Sequence, residues 1–440
     1  MSPDLEHRQS AIETLLASLI PGLFPASATA GPGRPAVIPG AMLWAGMLVC
    51  ILRHHGSQRA IWRRLTVHGL WAWPRLRCSD DAIYRRLQRT GPAPMARIWA
   101  AVTALLLEEA AGPVQEASAP PPLAPFATEV VALDETTLDQ VRRQGARREV
   151  PRGDDAHIPG KVSALFDLRR QLFRRIRRHD DYRENEKVPA EAMIADLPAG
   201  SLILTDLGYF SFPWYDGLTN RKQHWVARYR EKPSFTRRHC FWAQDGSGEW
   251  LVWLGAYRAD KAGHLVRLIE VRRGQTTHRY LTNVTDPRVL SAPEVVQLYA
   301  RRWDIELAFS TLKTDLGLAV LWSTHWPVIQ AQVWAVLTIA QAAFHLRLLV
   351  ARAAQVDLFD VSLKLLLIEG PRFVARGENP VTAIARLGAA GGLIRPSRRR
   401  PYGLPEPEVI AWPPDDLERI REARYAGRRC GPGGTDRRPA

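Results

Sequence analysis

The sequence predicts an α/β core, a mixed sheet flanked by helices with a β-strand insertion, set between α-helical N-terminal and C-terminal regions. Three observations predict it. Apolar residues recur at helical spacing up to about residue 125 and at alternating, strand-type spacing from Thr128 onward. Residues 233–282 keep to β alternation, with Gly-containing turns. A helix then starts at Ser291, with Pro293 in its first turn and Glu294 completing a capping box, and no further Gly or Pro follows until Gly317.

Taken in order, residues 11–20, 40–54 and 96–111 carry helix-type apolar spacing between Pro/Gly breaks, and 1–125 is expected to be a helical DNA-binding region. Residues 59–65 are basic with Trp62 interleaved. Residues 79–91 have a capped start at Ser79, a basic helical run and a stop at Gly91. Such a segment is either a DNA-reading helix or a solvated face. The Pro-rich run 119–125 marks a boundary.

Beyond it, residues 128–133 read as an apolar strand that ends at Asp134. Residues 162–168 and 172–178 read as two more strands, the second with Arg interleaved. A helix suits 188–197, and a buried-type strand, 201–205, runs into Asp206. A further helix and a strand at 224–229 follow. The core is expected over 126–325, interrupted by the β insertion at about 231–285, where 249–257, 264–272 and 277–282 alternate well. Residues 326–415 are expected to form a helical C-terminal region. The Arg/Gly/Pro-rich 416–440 is expected to be a basic, disordered tail.

Composition narrows the function classes. With 440 residues, 46% of them hydrophobic, and 15 Trp, the chain is a folded protein rather than a disordered one. Its net charge of +15 suggests a polyanionic partner, nucleic acid first and a membrane surface second. Cys50, Cys78, Cys240 and Cys430 form no CxxC pair, which argues against a zinc site and fits a reducing compartment. No signal peptide is evident. Of the longest apolar runs, 41–52 is too short for a bilayer, and 333–344 holds Gln341 with His345 and Arg347 just beyond, so both read as buried helices. A cytoplasmic, nucleoid-associated protein with no membrane partner is expected. No Walker A loop, HExxH or GxSxG is present, so no nucleotide cofactor is implied.

On the helix after Ser291, Leu298, Ile305, Phe309, Leu312 and Leu316 fall into one apolar stripe, and Tyr299, Arg302, Glu306 and Lys313 into a neighbouring stripe about 60° wide. By itself that is a solvated edge with an ordinary Arg302–Glu306 pair. Asp134 and Asp206 each close a strand, where side chains converge on one edge of an α/β sheet. Singly, each is a turn or cap residue. Together with Glu306 they make three carboxylates, which hard divalent cations neutralise. Two such ions about 4 Å apart serve an in-line phosphoryl displacement. Glu135, next to Asp134, points to the opposite strand face.

The spacing of Tyr299, Arg302, Glu306 and Lys313 resembles the YREK signature of the insertion-sequence-4 family of DDE transposases at all four positions. Asp134 in Leu-Asp-Glu-Thr-Thr resembles the family's first acid, Asp206 in Leu-Thr-Asp-Leu-Gly-Tyr-Phe its second, and Glu306 its third. The resemblance covers about 125–325 and departs at Leu207, where the family often has Arg.

It implies a ribonuclease H-like core and cut-and-paste DNA transposition. Asp134, Asp206 and Glu306 would be catalytic and would hold two Mg²⁺ ions, with Mn²⁺ as a substitute. Arg302 and Lys313 would hold phosphates, and Tyr299 would lie against the DNA. A Trp of the insertion, among Trp242, Trp250 and Trp253, would cap a flipped base. The implied partners are double-stranded DNA, as terminal inverted repeats and target, and a second copy of the chain on paired ends. Two alternatives stay open: a structure-selective nuclease of similar fold, and a catalytically silent DNA-binding descendant of a transposase.

Overall fold

A computed structural model describes residues 11–24, 38–111, 123–138, 142–143, 160–179, 187–229, 234–255, 260–318, 320–396 and 409–425. In chain order it opens with helices α1 (Ala11–Leu23), α2 (Gly40–Leu52), α3 (Gln58–Arg63), α4 (Asp80–Thr90) and α5 (Ala93–Ala111). Then come β1 (Val130–Thr137), β2 (Arg142–Arg143), β3 (Lys161–Asp167), β4 (Leu172–His179), α6 (Lys187–Ile194), β5 (Leu202–Thr205), α7 (Phe212–Asn220) and β6 (His224–Arg228). The meander β7 (Phe235–Gln244), β8 (Ser247–Leu254), β9 (Val266–Arg273) and β10 (Thr276–Thr282) follows. The described elements end with α8 (Ala292–Arg301), α9 (Trp303–Thr314), β11 (Val320–Leu321), α10 (Trp326–Ala354), α11 (Leu363–Ala375) and α12 (Pro380–Leu387).

These elements fall into two compact units that alternate along the chain. The first takes 1–120, 135–185 and 304–400, and the second takes 121–134, 186–303 and 401–440. At the centre of the first unit lies α10. Its length and hydropathy would suffice to cross a membrane, but 83% of its apolar window is buried inside the protein. It packs against α2, α5 and α12 as a core helix. Gln341 is tolerated there because its amide is satisfied. Its oxygen accepts from Phe173 N at 2.9 Å, and its nitrogen donates to Thr103 Oγ1 at 2.9 Å and to Phe173 O at 2.7 Å. β3 and β4 form an antiparallel hairpin, whose turn is fixed by Asp167 accepting from Arg169 N and Arg170 N. The basic segment at 79–91 forms α4. Ser79 caps it, Gly91 stops it at φ +68, and Ile83 and Leu87 are its buried side chains.

In the second unit the strand order is β1-β5-β6-β10-β9-β8-β7. β1, β5 and β6 are parallel, and the remaining strands continue antiparallel. The parallel register runs Leu133↔Thr205↔Ala227. Strand β8 is buried along its whole length. Its Glu249 lies 3.3 Å from Arg267, which has no exposed side-chain surface. Tyr215 of α7 stacks on Trp225 at 4.2 Å and 14°.

Three expectations need correction. The helix expected to run unbroken from Ser291 is two helices, because Arg302 N bonds Tyr299 O, an i−3 partner that interrupts the i−4 ladder. Asp134 does not end its strand: β1 continues to Thr137, and only its residues up to Leu133 pair with β5. Within the β stretch expected from residue 233, β7 is a strand whose bounds were not singled out, because Arg237, Arg238 and His239 interrupt its alternation. Finally, residues 416–425 are not a disordered tail. Residues 409–425 lie on the second unit, with bridges Lys261↔Arg424 and His264↔Ile420. Arg421 donates there to Ala262 O and Leu254 O, and Tyr425 Oη to Asp216 at 2.5 Å. Residues 426–440 fall outside those described.

Candidate active site

The parallel pairing of β1 with β5 ends at Leu133↔Thr205, and the next residue in each segment is an aspartate, Asp134 within β1 and Asp206 just past β5. Neighbouring strands lie about 4.8 Å apart, so Asp134 and Asp206 are delivered side by side by backbone register alone. Asp206 caps the 3₁₀ turn Leu207–Tyr209, and its Oδ1 accepts from Gly208 N at 2.8 Å. The Gly208 N–H thereby fixes the direction of the carboxylate. Asp134 Oδ2 lies 3.0 Å from Arg302 Nη1, and the two side chains are 15% and 8% exposed.

Ser291 and Glu294 start α8 with the reciprocal cap read from the sequence, Ser291 Oγ accepting from Glu294 N and the Glu294 carboxylate from Ser291 N. That helix carries Tyr299 into the interior of the unit, where it is 9% exposed and packs on Tyr280 with ring centroids 5.2 Å apart. Burial pushes the Tyr299 phenol above its usual range, with Arg302 acting against the rise and the Asp206 charge adding to it. The Arg302 guanidinium lies 5.8 Å from the Tyr299 ring centroid. Asp134, Asp206, Tyr299 and Arg302 therefore form one local set within the second unit.

The first unit holds the other two predicted residues. Glu306 is half-buried on α9. Asp304, two residues before it, is 2% exposed and accepts from Gln171 Nε2 at 2.9 Å, so it is a structural carboxylate. Ile305, Phe309 and Leu312 are buried, as the apolar stripe predicts. Lys313 Nζ donates to Thr137 O at 2.9 Å, tying α9 to the end of β1. Glu135 engages Lys161 at 2.5 Å, and Ser163 Oγ donates to it while lying 2.8 Å from His179 Nε2.

Among the described residues, no group of three or more His, Cys, Asp or Glu is placed to hold a metal ion. The donor chemistry of the aspartate pair nevertheless fits a divalent cation: two hard carboxylates stand on adjacent strands, with a guanidinium already drawn to one of them.

The three tryptophans considered as base caps are core residues, exposed at 7% (Trp242), 7% (Trp250) and 5% (Trp253). Trp242 Nε1 donates to Glu249 Oε2 at 2.9 Å, Trp250 lies under Arg237 and Trp253 under Arg421. An exposed aromatic next to Arg302 is one that sequence reading passed over. Trp303, beside Arg302, is 54% exposed, and its guanidinium neighbour lies 5.5 Å from the ring. A signal was present: on a continuous helix Trp303 falls about 140° from the Leu298 stripe, too far round to be core.

The chain is 23% identical over 360 residues to the candidate transposase y4zB of Sinorhizobium fredii (strain NBRC 101917 / NGR234), an alignment covering 76% of this chain and 93% of the relative. Among solved structures it is matched by a cryo-EM structure of the piggyBac transposase synaptic complex with hairpin DNA. There the identity is 12%, the TM-score is 0.41, and 91% of this chain and 84% of the other are covered. Residues 125–341, the stretch that carries Asp134, Asp206 and Glu306, match the family model described as the transposase DDE domain, and this match supports a transposase role for the chain.

Proposed function

We propose that this chain is a cut-and-paste DNA transposase of the insertion-sequence-4 type, built on a ribonuclease H-like core. It cleaves phosphodiester bonds at the ends of an insertion sequence and joins the resulting 3′ hydroxyls to target DNA. The observation that carries the reading is the aspartate pair: Asp134 and Asp206 follow the last paired position of two adjacent parallel strands. The order of the parallel strands β1-β5-β6, with the β3–β4 hairpin between β1 and β5 in the chain, supports the core assignment.

Asp134, Asp206 and Glu306 are the residues to hold Mg²⁺, or Mn²⁺ in its place. A bound divalent ion supplies Lewis-acid stabilisation of the attacking and leaving oxygens in phosphoryl transfer. The chain's own residues do the positioning. Gly208 N holds the Asp206 carboxylate, and the Arg302 guanidinium holds that of Asp134. Arg302 and Lys313 supply positive charge for phosphates near the cleaved bond. Tyr299 backs Arg302 from beneath, and the exposed Trp303 offers a face on which an unpaired base can stack. The working form is a dimer on paired DNA ends, in the cytoplasm.

The test uses the purified full-length chain, Mg²⁺, and duplexes that end in the inverted repeats flanking its coding region. The expected result is nicking at the repeat ends followed by joining to a target plasmid. Cleavage without joining would make the chain a nuclease. DNA binding with no metal-dependent cleavage would make it a silent descendant.

A further inference from the structure

Two cavities in the first unit share Trp322 in their walls, and of the residues that line them the chemistry above uses only Lys313. One has a volume of about 470 Å³ and is lined by His54, His55, Lys313, Leu316 and Trp322, among others. The other, about 410 Å³, is lined by Gln58, Tyr84, Gln88, Trp322 and His325, among others. Each lies within the range of small-ligand sites. The backbone of Trp322 is held on both sides: Gln58 Nε2 donates to its carbonyl at 3.1 Å, and its N–H donates to the buried Gln332 Oε1 at 3.0 Å. The ring is half-buried. With its backbone pinned and its side chain half-buried, Trp322 stands as an aromatic wall shared by both cavities.

The walls specify the ligand class. Trp322, Tyr84 and Leu316 offer flat or apolar surface, His54, His55 and His325 offer imidazoles, and Gln58 and Gln88 offer amides. Lys313 supplies the ammonium. A flat, polar-edged ring joined to an anionic linker matches that set, and the units of a nucleic-acid strand have this form. A duplex is too wide for cavities of this size, whereas unpaired bases stack on aromatic faces whatever their sequence. No arginine is among the described residues lining either cavity, so neither holds the guanidinium fork that selects carboxylates or phosphopeptides. α4 contributes Tyr84 and Gln88, which stand at i and i+4 and share one helix face.

We propose that the two cavities around Trp322 form a track for a short run of unpaired deoxynucleotides, stacked on Trp322 and Tyr84, with Lys313 at the end nearest α9. This rests on the transposase reading. It adds that a single strand separated near the cleaved end is held by residues of the first unit rather than by the tryptophans of the β insertion.

The experiment compares two duplexes of the same sequence, one blunt and one with a single-stranded tail of about four nucleotides that carries 2-aminopurine. The full-length protein is to bind the tailed duplex more tightly and quench the 2-aminopurine emission. Trp322→Ala is to lose tailed-duplex affinity by about 5- to 150-fold, the range for removal of one base–aromatic stack, with blunt-duplex affinity unchanged and no quenching. Trp322→Phe is to keep the preference, and the His54→Ala/His55→Ala pair is to weaken it.

Trp322→Ala binding both probes as the native chain does would overturn the proposal. So would a loss that is equal on both probes, and if Trp322→Ala does not fold, an unchanged preference in the double histidine variant would do the same. A native chain that cleaves repeat ends while failing these arms loses only the track. A native chain that binds neither probe loses the transposase reading, and the track with it.

Discussion

Arg302 sends its guanidinium to a carboxylate 168 residues earlier in the chain, Asp134 at 3.0 Å. Helical spacing would instead pair it with Glu306, one turn on. A charge-assisted bond at a site with 8% and 15% side-chain exposure is costly to leave half-made. Arg302→Ala is expected to destabilise the protein by about 1–3 kcal/mol in urea unfolding. In a double-mutant cycle with Asp134→Asn, the coupling should be about 0.5–3 kcal/mol; strict additivity would show that the pair contributes nothing. Trp303, 54% exposed, gives the opposite pattern. Trp303→Ala should leave the melting temperature in place and weaken binding to DNA with an unpaired base near the end. The four spaced residues from Tyr299 to Lys313 were readable because spacing is local. The partner of Arg302 was not, since a long-range contact leaves no mark on local periodicity.

At the scale of elements, the strands around both aspartates were legible because each is a short apolar run bounded by turn residues. β7 was legible only as part of the β stretch from residue 233 and not by its own bounds, because Arg237, Arg238 and His239 interrupt its alternation, and Arg237 is held by Glu270 at 3.0 Å and by the Trp250 ring. The strand that anchors the insertion is β8. Burial raises the pKa of Glu249 and lowers that of Arg267, each partner's charge opposing the other's shift. Removing one partner leaves the other charge buried alone, so Glu249→Ala is expected to cost about 3–5 kcal/mol of stability. Replacing both by apolar residues of similar size should cost much less, and a double variant as unstable as the single one would refute this account. The cap on α8 is a smaller contribution. Ser291→Ala should cost about 1 kcal/mol, visible as a lower unfolding midpoint.

For the whole molecule, a walk along the sequence yields consecutive domains, whereas the chain lays down two units in alternating stretches. Periodicity identifies elements and says nothing about which of them pack together, so Asp134 and Glu135, adjacent in sequence, end in different units. Net charge is the property that transfers from sequence to molecule without loss. At +15, DNA binding should depend steeply on salt. With six or more phosphate contacts, affinity is expected to fall by about a thousandfold or more between 50 and 200 mM salt. A flat salt dependence would remove DNA as the electrostatic partner.

All of this turns on whether three carboxylates placed by β1, β5 and α9 act together on a phosphodiester. The most direct measurement is metal-dependent cleavage of an end-bearing duplex by Asp134→Ala, Asp206→Ala and Glu306→Ala, each checked for folding and DNA binding. All three variants are expected to bind the duplex and to cleave none of it in Mg²⁺ or Mn²⁺. Cleavage at the native rate by any one of them would contradict the account.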